Sequence, residues 1–176
     1  MDSSLPKDIA AVESGGKNYI FYVNDSHQLS YIVKAGGGCN GGYAAEIIEI
    51  TYQRMHVKCD SREVAAVAWK TPNGVDEIRV YCVISDDCNK GVLQEVCLSS
   101  DKPERKWYQG LLGSKNVLRY VENGASISAT GTSFSNLKVY VSGKDRNGLP
   151  RIDTHYYVGE NGGGWAVESA NDQLSS

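Results

Sequence analysis

The feature that most constrains this chain is an internal repeat. Three runs read as strands on any scale: Tyr19-Ile20-Phe21-Tyr22-Val23, Ile78-Arg79-Val80-Tyr81-Cys82-Val83 and Leu137-Lys138-Val139-Tyr140-Val141. Ile20, Arg79 and Lys138 hold matching places in them, since 79 − 20 and 138 − 79 both give 59. Each run is followed by a turn cluster: Asn24-Asp25-Ser26, Ser85-Asp86-Asp87 and Ser142-Gly143-Lys144-Asp145. A second strand follows each turn, over Leu29 to Val33, Val92 to Leu98 and Ile152 to Val158.

The repeat extends both ways. Upstream of each tyrosine strand lies a small-residue strand: Ile9-Ala10-Ala11-Val12, Val64-Ala65-Ala66-Val67 and Ala125-Ser126-Ile127. Downstream stands an aromatic, at Gly42-Tyr43, Lys106-Trp107-Tyr108 and Gly164-Trp165. A fourth segment closes each unit, with Met55 to Lys58, Leu111-Leu112 and Ala166-Val167 as its apolar content. Four strands in units of about 40–60 residues describe a propeller blade, which buries its faces only against neighbouring blades. The units run over about 9–59, 62–112 and 117–171 of a single domain. The expected fold is all-β, with three blades per chain. Three blades close no ring, since propellers use roughly 4–8, and a homodimer closing a six-bladed ring is the simplest repair. A sandwich of similar hairpins is the alternative fold. The one helix candidate is Tyr43 to Ile50, where Ile47-Ile48 and Ile50-Thr51 make a strand nearly as good a reading.

Composition narrows the function classes. The chain has 176 residues, 41% of them hydrophobic, with 18 Lys and Arg against 21 Asp and Glu, giving a net charge of −3. A nucleic-acid binder would show a basic excess, so no such partner is expected. No apolar run approaches the roughly 18 residues of a membrane helix, so no membrane partner is expected either. Eleven Tyr and three Trp supply core material and argue against disorder. Met1 to Asp8 is polar and acidic, unlike a signal peptide, which sets a cytoplasmic expectation. Cysteines 39, 59, 82, 88 and 97 are odd in number and match no zinc spacing, so they read as reduced thiols. Cys82 and Cys97 act as small hydrophobes inside strands, and Cys88 lies in a polar turn where oxidation can reach it.

The second unit carries a resemblance. Val64-Ala65-Ala66-Val67-Ala68-Trp69, Glu77-Ile78-Arg79-Val80-Tyr81, Gly91-Val92-Leu93-Gln94-Glu95 and Lys106-Trp107-Tyr108-Gln109-Gly110-Leu111, in that order, resemble one repeat of the fungal fucose-specific lectins. The match covers the second unit from end to end and the third loosely. The first unit is recognisable mainly by position. The resemblance implies a six-bladed propeller with sugars bound between blades, completed by oligomerisation where a chain has fewer repeats. It also implies a site of Arg and Glu from one blade, with Tyr and Trp from the next. Here those are Arg79 and Glu95 from the second unit with Tyr157 and Trp165 from the third. The chemistry suits a sugar, because a charged pair serves hydroxyls and an aromatic face packs against C–H groups. The plain alternative is a cross-strand ion pair beside a core Trp.

The other units depart from that pattern. Ile20 stands at the Arg position of the first unit, with Tyr31 near the Glu position, and Lys138 and Thr154 replace Arg and Glu in the third. Ile makes no side-chain hydrogen bond, and Lys lacks the guanidinium fork. Those losses keep a second reading open: a cofactor-free cyclase of the hetero-Diels–Alderase kind, similar to these lectins in fold, holding a small hydrophobic substrate in the inter-blade cleft. The ligand is thus a glycan or another small molecule, and no cofactor or metal is expected.

Other motifs carry little. His27, His56 and His155 share no ligand spacing, and no Gly-x-Ser-x-Gly elbow occurs. Gly110-Leu111-Leu112-Gly113-Ser114-Lys115 is too short for a phosphate loop. The Gly-rich stretch 36–42 reads as an inter-strand loop, and Asn24-Asp25-Ser26 matters as a sequon only in an exported chain. Asp86-Asp87 reads as a solvated turn, with bound calcium the weaker alternative.

Overall fold

One turn, made three times, sets the architecture. In the computed structural model, Asn24 Oδ1 accepts hydrogen bonds from the backbone N–H groups of Ser26 and Gln28, both at 2.9 Å. Asp86 Oδ1 does the same for Cys88 and Lys90, at 2.9 and 2.7 Å. Asp145 Oδ1 holds Asn147 and Leu149, both at 2.8 Å. A short side-chain acceptor that mimics a backbone turn is what Asn and Asp contribute at such positions. The fourth residue of each turn takes a left-handed backbone, at φ 56° for His27, 59° for Asn89 and 79° for Gly148. Asp86 is therefore committed to shaping a hairpin.

The structure describes residues 6–35, 42–102, 106–159 and 163–169. The first blade comprises β1 (Ile9–Ser14), β2 (Lys17–Val23), β3 (Leu29–Ala35) and β4 (Tyr43–Ile47), hydrogen-bonded in that order. A small hairpin follows, β5 (Glu49–Ile50) with β6 (Gln53–Arg54). The second blade contains β7 (Ala65–Lys70), β8 (Asp76–Ser85), β9 (Gly91–Ser99) and β10 (Tyr108–Gln109), and β11 (Tyr120–Val121) adds to the far end of β9. The third is β12 (Ile127–Thr130), β13 (Lys138–Lys144), β14 (Pro150–Val158) and β15 (Gly164–Ser169). All pairings are antiparallel. The described helical content is a single 3-10 turn, Phe134–Asn136, and no helix among the described residues is long and apolar enough to cross a membrane.

The all-β, blade-built fold agrees with the sequence reading, which left the segment from Tyr43 to Ile50 open between helix and strand. The corrections concern strand ends, and Ser142-Gly143-Lys144, read as turn, belongs to β13. The segment from Tyr43 to Ile50 is strand, as its β-branched residues favour. The fourth strand of the first blade is Tyr43–Ile47, and Met55 to Lys58 lies beyond it. The fourth strand of the second blade is Tyr108–Gln109, two residues ahead of Leu111-Leu112. The Gly-rich stretch 36–41, Cys39 and the end of the third unit beyond 169 fall outside the described residues.

Burial follows position in the row. The strands β8 and β9 are buried almost without interruption, whereas β1 alternates exposed and half-buried residues. A sheet covered on both faces reads as a continuous apolar run; one covered on a single face alternates. Two cores flank the middle blade. Ile78, Val80, Cys82, Val96 and Trp107 pack against Phe21, Val23, Leu29 and Tyr31 of the first blade. On the opposite face, Val67, Tyr81, Val83 and Leu93 pack against Leu137, Val139, Val141 and Trp165 of the third.

Candidate functional site

Register decides which side chains meet at each blade junction. Arg79 on β8 lies between Val67 and Cys97, and Tyr81 lies beside Glu95. Side chains alternate along a strand, so Arg79, Tyr81 and Val83 share one face. That face is turned to the third blade, where Tyr157 and Trp165 are cross-strand neighbours on β14 and β15. The fold therefore brings all four sequence-selected residues to one junction.

The junction is dense with charge. Arg79 Nη1 donates to Glu77 Oε2 at 2.7 Å and to the Ile78 carbonyl at 2.9 Å. Its Nε stands 3.8 Å from Glu95 Oε1. Glu95 also accepts from the Tyr81 hydroxyl at 3.2 Å and from the Leu111 N–H at 3.1 Å. Glu77 accepts from the Ser99 hydroxyl at 2.8 Å. Burial raises the Glu95 pKa above the usual carboxylate range, with Arg79 and these hydrogen bonds opposing the shift. Burial works against the Arg79 cation, but the groups around it, Glu77 and Glu95 among them, keep it charged.

Aromatic rings enclose this ion group. The Arg79 guanidinium lies 5.3 Å from the Trp69 ring, 5.1 Å from Phe134 and 6.0 Å from Tyr108. Phe134, on the 3-10 turn of the third blade, also touches Trp69 at 5.1 Å and Tyr157 at 6.0 Å. Trp165 meets Tyr81 edge-on at 6.1 Å and Tyr157 at 5.9 Å. Arg79 and Glu95 each keep only 4% of their surface exposed, and Trp165 5%. Phe134, Trp69, Glu77 and Tyr81 are members of the site that sequence reasoning did not name. The Trp69 and Tyr81 positions lay within the quoted repeat; Phe134 belongs to a turn that the repeat does not cover.

Buried donors at this junction are left unsatisfied: the Nε of Arg119, whose Nη2 donates to the Trp165 carbonyl at 2.7 Å, has no partner among the described residues. The buried Trp165 indole N–H likewise has no hydrogen-bond partner among the described residues. Such a donor is costly to bury unpaired.

The junction of the first and second blades has the same frame and other chemistry. Tyr19, Phe21 and Val23 face the second blade, in the places that Arg79, Tyr81 and Val83 hold toward the third. Tyr31 pairs with Phe21 as Glu95 pairs with Tyr81. The counterpart of Arg79 in the first blade is thus Tyr19 and not Ile20, which points away from the second blade. A one-residue slip in register exchanges the two faces of a strand. In the third blade the register confirms the expected substitutions: Lys138 holds the Arg79 place and Thr154, beside Tyr140, the Glu95 place. A cavity of about 640 Å³ opens at the first junction, lined in part by Tyr19, Tyr31, Trp107, Glu46, Lys17 and Lys106.

Among the described residues, no group of three or more His, Cys, Asp or Glu side chains is placed to hold a metal ion. His27 and His56 lie on segments bridged by backbone hydrogen bonds, with the Val57 N–H donating to the His27 carbonyl at 2.8 Å, and His155 is buried on β14 of the third blade.

No known family profile matches the sequence, and no curated protein matches it. Among solved structures, the chain is similar to a fucose lectin from Kordia zhangzhouensis, determined in complex with methyl-fucoside. The two share 16% identity over 91% of this chain and 96% of the other, with a TM-score of 0.52. At that identity the likeness is one of fold. It supports the lectin-like fold that the resemblance of the second unit implied and does not single out the fungal lectins.

Proposed function

We propose that the chain is a carbohydrate-binding, lectin-like module whose sugar site is the junction of the second and third blades. Arg79 and Glu95 serve sugar hydroxyls there, Trp165 offers its N–H and its ring, and Tyr157 supports that ring. The observation that carries the reading is the buried Trp165 N–H with no acceptor among the described residues, set beside an Arg–Glu pair. A ligand hydroxyl supplies the missing acceptor. The fold shared with a lectin captured with methyl-fucoside makes a fucoside the first ligand to test.

Phe134 lies over the Arg79 guanidinium, so a sugar reaches the charged pair by displacing that ring. The ring sits on a three-residue turn and is 39% exposed, and its movement breaks no strand pairing. The cyclase alternative calls for a deep apolar cleft. The quartet junction instead concentrates charge, and the open junction mixes lysines, a carboxylate and tyrosine hydroxyls with its apolar wall.

We further propose that two copies close a six-bladed ring. Tyr43 starts the fourth strand of the first blade as Trp107 and Trp165 stand at the fourth strands of theirs, yet it is 63% exposed, with the Lys34 ammonium 5.2 Å from its ring. In a closed ring it meets the Lys138, Tyr140 and Thr154 face of a second copy.

Calorimetric titration with methyl-fucoside tests the sugar reading. Wild type should bind. Trp165→Phe keeps an aromatic face but removes the N–H and part of the ring area, and should weaken binding at least roughly fivefold, the equivalent of about 1 kcal/mol. Phe134→Ala should bind no more weakly than wild type. Absence of binding by both wild type and Phe134→Ala overturns the fucoside reading.

A further inference from the structure

Asparagine followed by glycine is the pair in which the main chain most readily attacks its own side chain, because glycine has no Cβ to crowd its amide nitrogen. Three such pairs lie among the described residues, Asn73-Gly74, Asn123-Gly124 and Asn147-Gly148; Asn40-Gly41 and Asn161-Gly162 lie outside them. All three asparagines are exposed, and all three glycines have a left-handed backbone, at φ 80°, 74° and 79°. Exposure and backbone sign therefore do not tell them apart. The hydrogen bonds do.

In two of the pairs the glycine N–H closes the turn. Gly74 donates to the Thr71 carbonyl at 2.9 Å, and Gly148 to the Asp145 carbonyl at 3.0 Å. A side chain holds each of these turns again, since Thr71 Oγ1 accepts the Val75 N–H at 3.0 Å and Asp145 Oδ1 accepts those of Asn147 and Leu149. Asn123 sits one place earlier in its turn. There the closing bond runs from the Ala125 N–H to the Glu122 carbonyl, at 3.2 Å. Gly124 is then the third residue, with the positive φ of a type II turn, and its N–H belongs to the central peptide that the closing bond does not use. That N–H meets the Ser61 hydroxyl at 3.4 Å, long for a hydrogen bond.

We propose that Asn123 is a site of spontaneous deamidation in the folded protein, and that the turns at Asn73 and Asn147 protect theirs. The Gly124 nitrogen bonds to the Asn123 side-chain carbonyl carbon, and the amide leaves with that nitrogen's proton as ammonia. Water opens the resulting succinimide at one carbonyl or the other, giving aspartate or isoaspartate. Either product adds a negative charge, next to Glu122, to a chain of net charge −3. Isoaspartate also lengthens the main chain by one carbon. The position lies on the passage from β11 of the second blade to β12 of the third, where Glu122 Oε1 accepts the Lys144 N–H at 3.2 Å. The modification thus acts on the link between two blades, whatever ligand the blades bind.

The test incubates the full chain in mildly alkaline buffer, folded and in denaturant, and follows each asparagine by peptide mass spectrometry. Methyl transfer by an isoaspartyl methyltransferase gives a second readout. In the folded protein Asn123 should convert about fivefold or more faster than Asn73 and Asn147, the rate equivalent of one hydrogen bond. Denaturant removes the turns, so there the three rates should converge. Asn73 or Asn147 keeping pace with Asn123 in the folded protein overturns the proposal. So does an Asn123 that stays intact while folded and reacts only in denaturant, or a lead for Asn123 that persists unchanged in denaturant and so owes nothing to the turn.

Discussion

Gly110 and Glu95 share one space: a Cβ placed on Gly110 would stand 2.1 Å from Glu95 Oε2. The carboxylate lies against bare backbone, where it takes the Leu111 N–H and faces Arg79. Any larger residue at 110 has to push the carboxylate away.

Gly110→Ala should therefore break the Arg79–Glu95 pairing without dismantling a strand. Fucoside affinity should fall about tenfold, close to the loss of one charge-assisted hydrogen bond. Circular dichroism should remain that of a β protein. Unchanged affinity in calorimetry would remove Glu95 from the site.

Ring closure predicts a dimer with the outward face of the first blade in its contact. Ile9 is 62% exposed on the outward side of the first blade, beside Tyr22 and on the same face as Ile20. Light scattering of wild type should give twice the 19.2 kDa chain mass. Ile20→Asp should shift the species to monomer, since burying an unpaired carboxylate opposes association. A wild-type monomer at micromolar concentration counts against the ring.

The thiols should separate by burial. Burial pushes the Cys82 thiol up to about 12 and raises Cys97 as well, while Cys59 and Cys88 are exposed. Thiolate is the reactive form. Alkylation of the native protein, read peptide by peptide, should modify Cys59 and Cys88 and spare Cys82 and Cys97 until denaturant is added. Equal labelling of Cys82 and Cys88 would contradict the packing.

His155 should give stability an acid limit. Burial lowers its pKa below the ordinary 6.5, with Asp153 opposing and Arg119 adding to the shift. A base with a depressed folded pKa binds protons more readily when unfolded. Its contribution is present above the unfolded value and is lost as pH falls through the folded one. Thermal melts should show a stability decline setting in below about pH 6.5. His155→Phe should flatten that part of the decline. An identical slope in wild type and variant would exclude His155 as its source.

Much of the fold was legible because local chemistry repeats. Asn24, Asp86 and Asp145 each hold their own turn, so three hairpins could be placed from sequence. The phase of the first tyrosine strand was not legible. Tyr19, Ile20, Phe21, Tyr22 and Val23 are all apolar or aromatic, and nothing in that run tells one face from the other. The fourth strands of the first two blades were misplaced for a related reason. They are short and partly exposed, with Tyr108–Gln109 only two residues long. Arg79, Glu95, Tyr157 and Trp165 were selected through the resemblance, and the register brings them to one junction. Phe134 escaped notice because its place depends on contacts with distant segments, the Trp69 ring and the Arg79 guanidinium of the second blade.

Among the described residues, the middle blade alone belongs to both cores, because β8 and β9 present one face to each neighbour. The outer blades share no apolar core with one another, so cooperativity between them passes through a single sheet. A cavity opened at Val80 would first loosen the chain toward its beginning, and one at Val83 toward its end. Damage spreads along the row of blades in the direction set by the parity of the residue.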